Sequence, residues 1–281
     1  MDVKKSTAIL DDSNSAIKHY PHCGSKTKRV ALIFNWSSFD FLDTARIGSE
    51  TDVANLKQLF ENLNFKTITI QNINKRNFDS FLLNGLSDVV KGAKCLVTVL
   101  CSHGYPLQGS DVVIRLSQGE LMSVYEILEH FNNHNLPELI DVPKVFVFQF
   151  CRGNKVFEVT RKPPSGGGDA ACNAQSAASD IVRPYSDMLI AYSTIPGYKA
   201  ARHLKDGSYF IQAICDVFAE HAYRYHIEDL FKLVDSHVAK HVHQTTSVVS
   251  WGFYKHLYLY PGILNNIAPN PAALDEMDHD I

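Results

Sequence analysis

Short apolar runs alternate with amphipathic stretches along most of the chain. Arg29–Phe34 (RVALIF) has the length and composition of a buried strand. Ser49-Glu50-Thr51-Asp52 reads as a capping-box-like helix start, with Asp in the reciprocal position. Val53, Leu56, Leu59, Phe60 and Leu63 follow at helical spacing. Lys66–Ile70 alternates as a strand, and Phe78, Phe81, Leu82, Leu86, Val89 and Val90 mark a second amphipathic helix that Gly92 stops. Cys95–Cys101 (CLVTVLC) and Val145–Phe150 (VFVFQF) predict two further buried strands, with a helix over Ser123–Phe131 between them. Met188–Ser193 predicts another strand, followed by helices around Ser208–Ala222 and Ile227–His241 and an aromatic-rich last strand over Trp251–Tyr260. Strands alternating with helices of this length imply βαβ units. The expected architecture is α/β, a three-layer sandwich with a mostly parallel central sheet and helices on both faces.

Two stretches break the pattern. Residues 1–28 are polar without sustained periodicity and read as a short mobile arm. At Lys162–Ala178, Pro163, Pro164 and Gly166–Gly168 lead into a run of Ala, Ser, Asn and Gln typical of an exposed linker. The expected organisation is an arm (1–28), a large part (29–160), a linker (161–186), a smaller part completing the same domain (187–263) and a tail (264–281). No internal repeat is visible.

Composition narrows the function classes. The 281 residues carry 27 Lys+Arg against 30 Asp+Glu, a formal charge of −3. That balance argues against a nucleic-acid partner or an anionic membrane surface. No apolar stretch approaches the roughly 20 residues of a spanning helix, and Met1–Ser15 lacks the apolar core of a secretory signal. The six cysteines are scattered without scaffold spacing and read as reduced thiols, so a cytoplasmic location is expected.

Two of the buried-type strands end in reactive groups. Leu100-Cys101-Ser102-His103-Gly104 closes one and Gln149-Phe150-Cys151-Arg152-Gly153 the other. In an open parallel sheet, ligands bind beyond the carboxyl ends of the strands. His103 and Cys151 can therefore face one crevice, the imidazole taking the thiol proton and the thiolate attacking a carbonyl. The backbone N–H groups of Gly104 and Cys151 can supply an oxyanion hole. Taken singly, Cys151 reads as a packed thiol, His103 as a strand-end cap, and an isolated arginine as a surface ion-pair partner. His237 and His241 lie at i, i+4, but no HExxH motif or cysteine pair accompanies them, so they read as a solvated helix face. No metal or cofactor is expected.

Taken together, these residues resemble the caspase family. The QFCRG pentapeptide differs at one place from that family's signature, and a His lies 48 positions upstream of its Cys (103 and 151). The likeness extends through Arg46-Ile47-Gly48-Ser49, Ser102-His103-Gly104, Ala191-Tyr192-Ser193-Thr194, Pro196-Gly197-Tyr198, Arg202 and Lys205–Gln212, in family order from about Val30 to Tyr260. It implies a caspase-like fold, Cys151 as nucleophile, His103 as general acid/base, and Gly104 with Cys151 as oxyanion donors. It also implies that Arg46, Gln149 and Arg202 line the pocket for the side chain before the scissile bond. Two guanidiniums and an amide select a short carboxylate. The implied activity is a cysteine endopeptidase cleaving proteins after aspartate, made as a zymogen and acting in apoptosis-type proteolysis.

Three features depart from the family pattern. Phe150 stands where a small Ala is usual, Lys199-Ala200-Ala201 lacks the aromatic residue usual before the arginine, and His243–Ser247 is short. They keep open a second expectation, a weak or inactive caspase-like decoy that binds and regulates an active paralogue. Asp169 is the first candidate for activating cleavage and Asp180 the second. An arm of this length is not expected to hold an adaptor-binding helical bundle. The implied partners are aspartate-containing protein substrates, a second copy paired through the C-terminal strand, and a paralogous caspase or protein inhibitors.

Overall fold

A computed structural model describes residues 1–13, 15–21, 27–40, 44–107, 112–156 and 183–263. Its centre is a six-stranded sheet. The strands are β1 (Arg29–Asn35), β2 (Lys66–Gln71), β3 (Cys95–Cys101), β7 (Lys144–Gln149), β8 (Met188–Tyr192) and β11 (Ser247–Trp251), in spatial order β11-β8-β7-β3-β1-β2. Every pairing is parallel except β11 with β8. Successive side chains point to opposite faces of a strand, and the core divides accordingly. Ala31, Ile33, Val97, Val99, Val145, Val147, Leu189 and Ala191 pack on one face under α1 (Ser49–Asn62), α5 (Tyr209–His221) and α6 (Ile227–His241). Val30, Leu32, Phe34, Leu96, Leu100, Phe146, Phe148 and Ile190 pack on the other under α2 (Lys75–Ser80), α3 (Leu86–Val90) and α4 (Val124–Glu129). Burial on both faces is why these strands are continuous apolar runs rather than alternating ones.

The second predicted helix is α2 and α3 joined through one π turn, Phe81–Gly85. Ser123 caps α4, its hydroxyl accepting from the N–H groups of Tyr125 and Glu126. Two small antiparallel additions, β4-β5-β6 (Gly104–Pro106, Val112–Arg115, Leu121–Ser123) and β9-β10 (Arg202–His203, Gly207–Ser208), flank the carboxyl ends of the strands. They are too short to leave a clear periodic signal in the sequence.

Three local expectations change. The Asp52 carboxylate does not turn back to Ser49. It is buried and accepts from the N–H (2.7 Å) and hydroxyl (2.6 Å) of Ser208. The N-terminal residues are not a mobile arm where they are described. Val3, Ile9, Leu10 and Tyr20 are buried, Lys4 N–H donates to Ala219 O, and Tyr20 hydroxyl donates to Asp187 Oδ1 at 2.8 Å. Their apolar residues enter pockets made by distant segments, a pattern without local period. The last strand is Ser247–Trp251, not Trp251–Tyr260. Gly252, at φ +63 and too close to Ser186 for an easy Cβ, turns the chain off the sheet, and the following residues bridge to His19 and His226 instead. Among the described residues no strand pairs with the outer edge of β11, and Val248 and Val249 are exposed. Residues 157–182, with Asp169 and Asp180, and the tail from 264 lie outside the described residues. No helix among the described residues is long and apolar enough to cross a membrane.

Candidate active site

Beyond the carboxyl ends of β3 and β7 lies a cleft of about 230 Å3 lined by Arg46, Ser102, His103, Gln149, Phe150, Cys151, Ala200, Arg202 and Leu204. The parallel register sets this up. Cys101 pairs with Gln149 across the sheet, so the residues two beyond each, His103 and Cys151, emerge side by side. Ser102 N–H donates to Gln149 O, which holds the two strand ends together past the last ladder pair.

His103 Nε2 lies 2.8 Å from the carbonyl oxygen of Thr44. A carbonyl only accepts, so Nε2 carries the proton and Nδ1 is the ring's acceptor nitrogen. Phe39 packs on the ring at a centroid distance of 4.9 Å. Thr44 gives no signal in the sequence, because its contribution is a backbone oxygen. Cys151 is partly exposed, and its Sγ accepts from Ala200 N–H at 3.4 Å. The other described cysteines are buried. Desolvation pushes the Cys101 thiol up to about 12 and the Cys215 thiol up as well, so both stay protonated and inert.

Gly104 is held against the cysteine loop. A Cβ there would lie 2.3 Å from the Cys151 carbonyl oxygen and 2.9 Å from Phe150 Cδ2. Only glycine fits. Phe150 itself is buried, 5.3 Å from the Phe148 ring and 6.3 Å from Tyr192. The benzyl group that departs from the family pattern is thus absorbed by the aromatic core, and the Cys151 backbone has its place beside Gly104.

The polar wall is cationic. Arg46 is almost fully buried, and its Nη1 donates to Asn35 Oδ1 (3.0 Å) and Trp36 O (3.1 Å). Arg202 joins it from β9, with Nε buried and unpartnered. Burial and the neighbouring Arg46 cation both pull the Arg202 guanidinium below its ordinary value. The buried Gln149 has an unpartnered Oε1. Asp52 lies behind the pair and feels both guanidiniums, but burial, the larger influence, pushes its carboxyl above the usual range. Gly207, at φ +91, lets the β9-β10 turn close over it, since a Cβ there would meet Asp52 Oδ1 at 2.3 Å. Gln244 is a further positioning residue that sequence reasoning missed. It is buried, accepts from Ala201 N–H (2.6 Å) and donates to Ser193 O (2.7 Å), tying the strand that carries Arg202 to the end of β8.

A partly exposed thiol and an imidazole of fixed tautomer beside two converging cations define a thiol–imidazole site open to an acidic group. Comparison with known proteins gives the chain a family. The caspase domain model matches residues 28–258. Caspase Dronc of Drosophila melanogaster is 30% identical over 94% of this chain and 62% of its own length. Human caspase-14 is 32% identical over 70% of this chain and 78% of its own length. The crystal structure of the Drosophila initiator caspase Dronc superposes with a TM-score of 0.75 at 29% identity, covering 94% of this chain and 96% of that one. Caspase-1 of Spodoptera frugiperda shares the fold, with a TM-score of 0.69 at 22% identity. The chain belongs to the caspase family of cysteine proteases. It spans 55–62% of the length of the first of its curated relatives.

Proposed function

We propose that this chain is a cysteine endopeptidase that cleaves proteins after aspartate. The observation that carries the reading is the convergence of Arg46, Arg202 and Gln149 on the cleft that holds Cys151 and His103. Two partly compensated cations out of bulk water are costly, and a short carboxylate relieves that cost while a neutral isostere does not. Cys151 would transfer its proton to His103, attack the aspartate's own backbone carbonyl and form an acyl-enzyme, with the Gly104 and Cys151 N–H groups on the oxyanion. His103 would return the proton to the leaving amine, and water would release the acid. The reading includes synthesis as a zymogen, cleavage at Asp169 or Asp180, work in apoptosis-type proteolysis in the cytoplasm, and regulation by protein inhibitors. It also includes a homodimer joined through β11, whose outer edge pairs with no strand among the described residues.

One observation favours the decoy reading. Ala200 N–H occupies the Cys151 sulfur, and the two alanines before Arg202 leave that side of the cleft without a wall for the next substrate residue. A decoy would bind an active paralogue and change its rate. Hydrolysis of an aspartyl-peptide library by linker-cleaved or forced-dimer protein, abolished by Cys151→Ala, supports the enzyme. Silence across the library, with a changed rate in a mixed active caspase, supports the decoy.

A further inference from the structure

Away from the cleft, three segments distant in the chain bring histidines together. His226 and Glu228 stand at the start of α6, His256 lies in the C-terminal segment, and His19 borders them from the N-terminal segment. The backbone holds the arrangement. Ile227 N–H donates to Leu257 O, His256 N–H to Lys18 O and Tyr20 N–H to His256 O, each at 2.9 Å. The rings of His226 and His256 are 4.1 Å apart at their centroids. One ligand atom each from His226, Glu228 and His256 lies within 4.8 Å of the other two.

The hydrogen-bonding state points to a ligand. His226 Nε2 is 2.8 Å from Asp229 Oδ2, and a carboxylate accepts, so the proton sits on Nε2 and the Nδ1 lone pair is left over. That Nδ1 is buried and unpartnered, and so is Nδ1 of His256. Unpartnered buried nitrogens are uncommon, and two of them here adjoin a carboxylate. A water molecule has two protons to offer such a set. A cation satisfies all three groups at once.

We propose that His226, Glu228 and His256 bind a divalent transition-metal ion of the Zn2+ type, with water in the remaining position. Two imidazoles and one carboxylate suit zinc and its neighbours rather than the all-oxygen preference of calcium or magnesium. Tetrahedral zinc with ligands at roughly 2.0–2.1 Å sets them about 3.4 Å apart, so the three side chains close inward on binding. Asp229 is the outer-sphere carboxylate that orients a ligating imidazole. None of these residues lines the cleft that holds Cys151, so the ion would act as a clamp joining the start of α6 to the C-terminal segment. The pair His237 and His241 is different. His241 Nδ1 is engaged with the His237 carbonyl, and the residue is exposed.

The test uses the full chain carrying Cys151→Ser, which removes the partly exposed thiol as a competing ligand. Co2+ is titrated and followed by its electronic spectrum, and Zn2+ affinity is measured by competition with a chelating indicator. The expected result is one bound ion with the intense d–d bands of a four-coordinate nitrogen/oxygen site and no thiolate charge-transfer band. Affinity should fall at least 100-fold in the double variant His226→Gln, His256→Gln, and about 10–100-fold in Asp229→Asn. Glu228→Gln, a half-buried change that keeps the side chain's shape, should also lose at least tenfold and decides the matter if the double variant does not fold. Absence of bound Co2+ in folded Cys151→Ser protein, or unchanged affinity in folded Glu228→Gln, overturns the proposal.

Discussion

The Gly104 Cα rests so close to Cys151 that a Cβ on Gly104 would sit 2.3 Å from the Cys151 carbonyl oxygen. Gly104→Ala must therefore displace the loop that carries Cys151. Overpacking of this kind costs about 1–3 kcal/mol, and an error near 1 Å at a reacting atom costs about 100-fold in rate. The expected outcome is a lower denaturation midpoint together with a kcat/KM reduced by about two orders of magnitude. A loss of stability with unchanged turnover would separate the packing of Gly104 from the chemistry.

The cationic wall predicts charge selectivity. A hydrogen bond to a charged group contributes about 1.5–3 kcal/mol, so Arg202→Gln should lower kcat/KM on an aspartyl peptide by about 10–100-fold. The same peptide with Asn in place of Asp should be a poor substrate for the parent protein. The gap between the two peptides should narrow in the variant, because the unpaired cation that penalises a neutral side chain is gone.

Phe150 predicts a change in stability rather than a repair of activity. Its ring is buried against Phe148 and Tyr192. Phe150→Ala leaves a cavity and should destabilise the fold by about 3–5 kcal/mol, read from urea unfolding, without raising kcat/KM. A gain in turnover would mean that the benzyl group crowds Cys151.

Lys144 predicts a pH dependence. It is buried at the start of β7, donates to Leu139 O, Val142 O and Asn133 Oδ1, and is pushed down to about 8 by desolvation. The unfolded chain then binds this proton more readily than the folded one between about 8 and the ordinary lysine value near 10.5. Stability attributable to Lys144 rises with pH through that window and is lost as pH falls through about 8, a span of about 3 kcal/mol. Lys144→Met should flatten the curve of unfolding free energy against pH there.

Much of this was legible in the chain because it depends on local pattern. Leu96 and Val97 alternate between the faces of a strand whose run is apolar throughout, which announces a sheet covered on both sides. Cys151 and His103 were legible as strand-end residues with glycines beside them. The parts that escaped depend on contacts between distant segments. Thr44 acts through a carbonyl and Gln244 through a buried amide, and neither residue type marks such a role. Asp52 looked like a cap residue, yet its partner Ser208 is brought to it by the fold alone. Tyr20 sits in a polar stretch, and its anchor Asp187 lies at the far end of the chain's own topology.

The central claim is that Cys151 is a nucleophile beside a pocket for aspartate. Its most direct test is labelling of the linker-cleaved, dimerised protein with a peptide bearing an aspartyl electrophile, read by intact-mass and peptide mass spectrometry. The account predicts one adduct on Cys151, absent in Cys151→Ala and strongly slowed when the probe carries Asn or the protein carries Arg202→Gln. No adduct, or labelling at Cys151 that is indifferent to the Asp-to-Asn change, would contradict it.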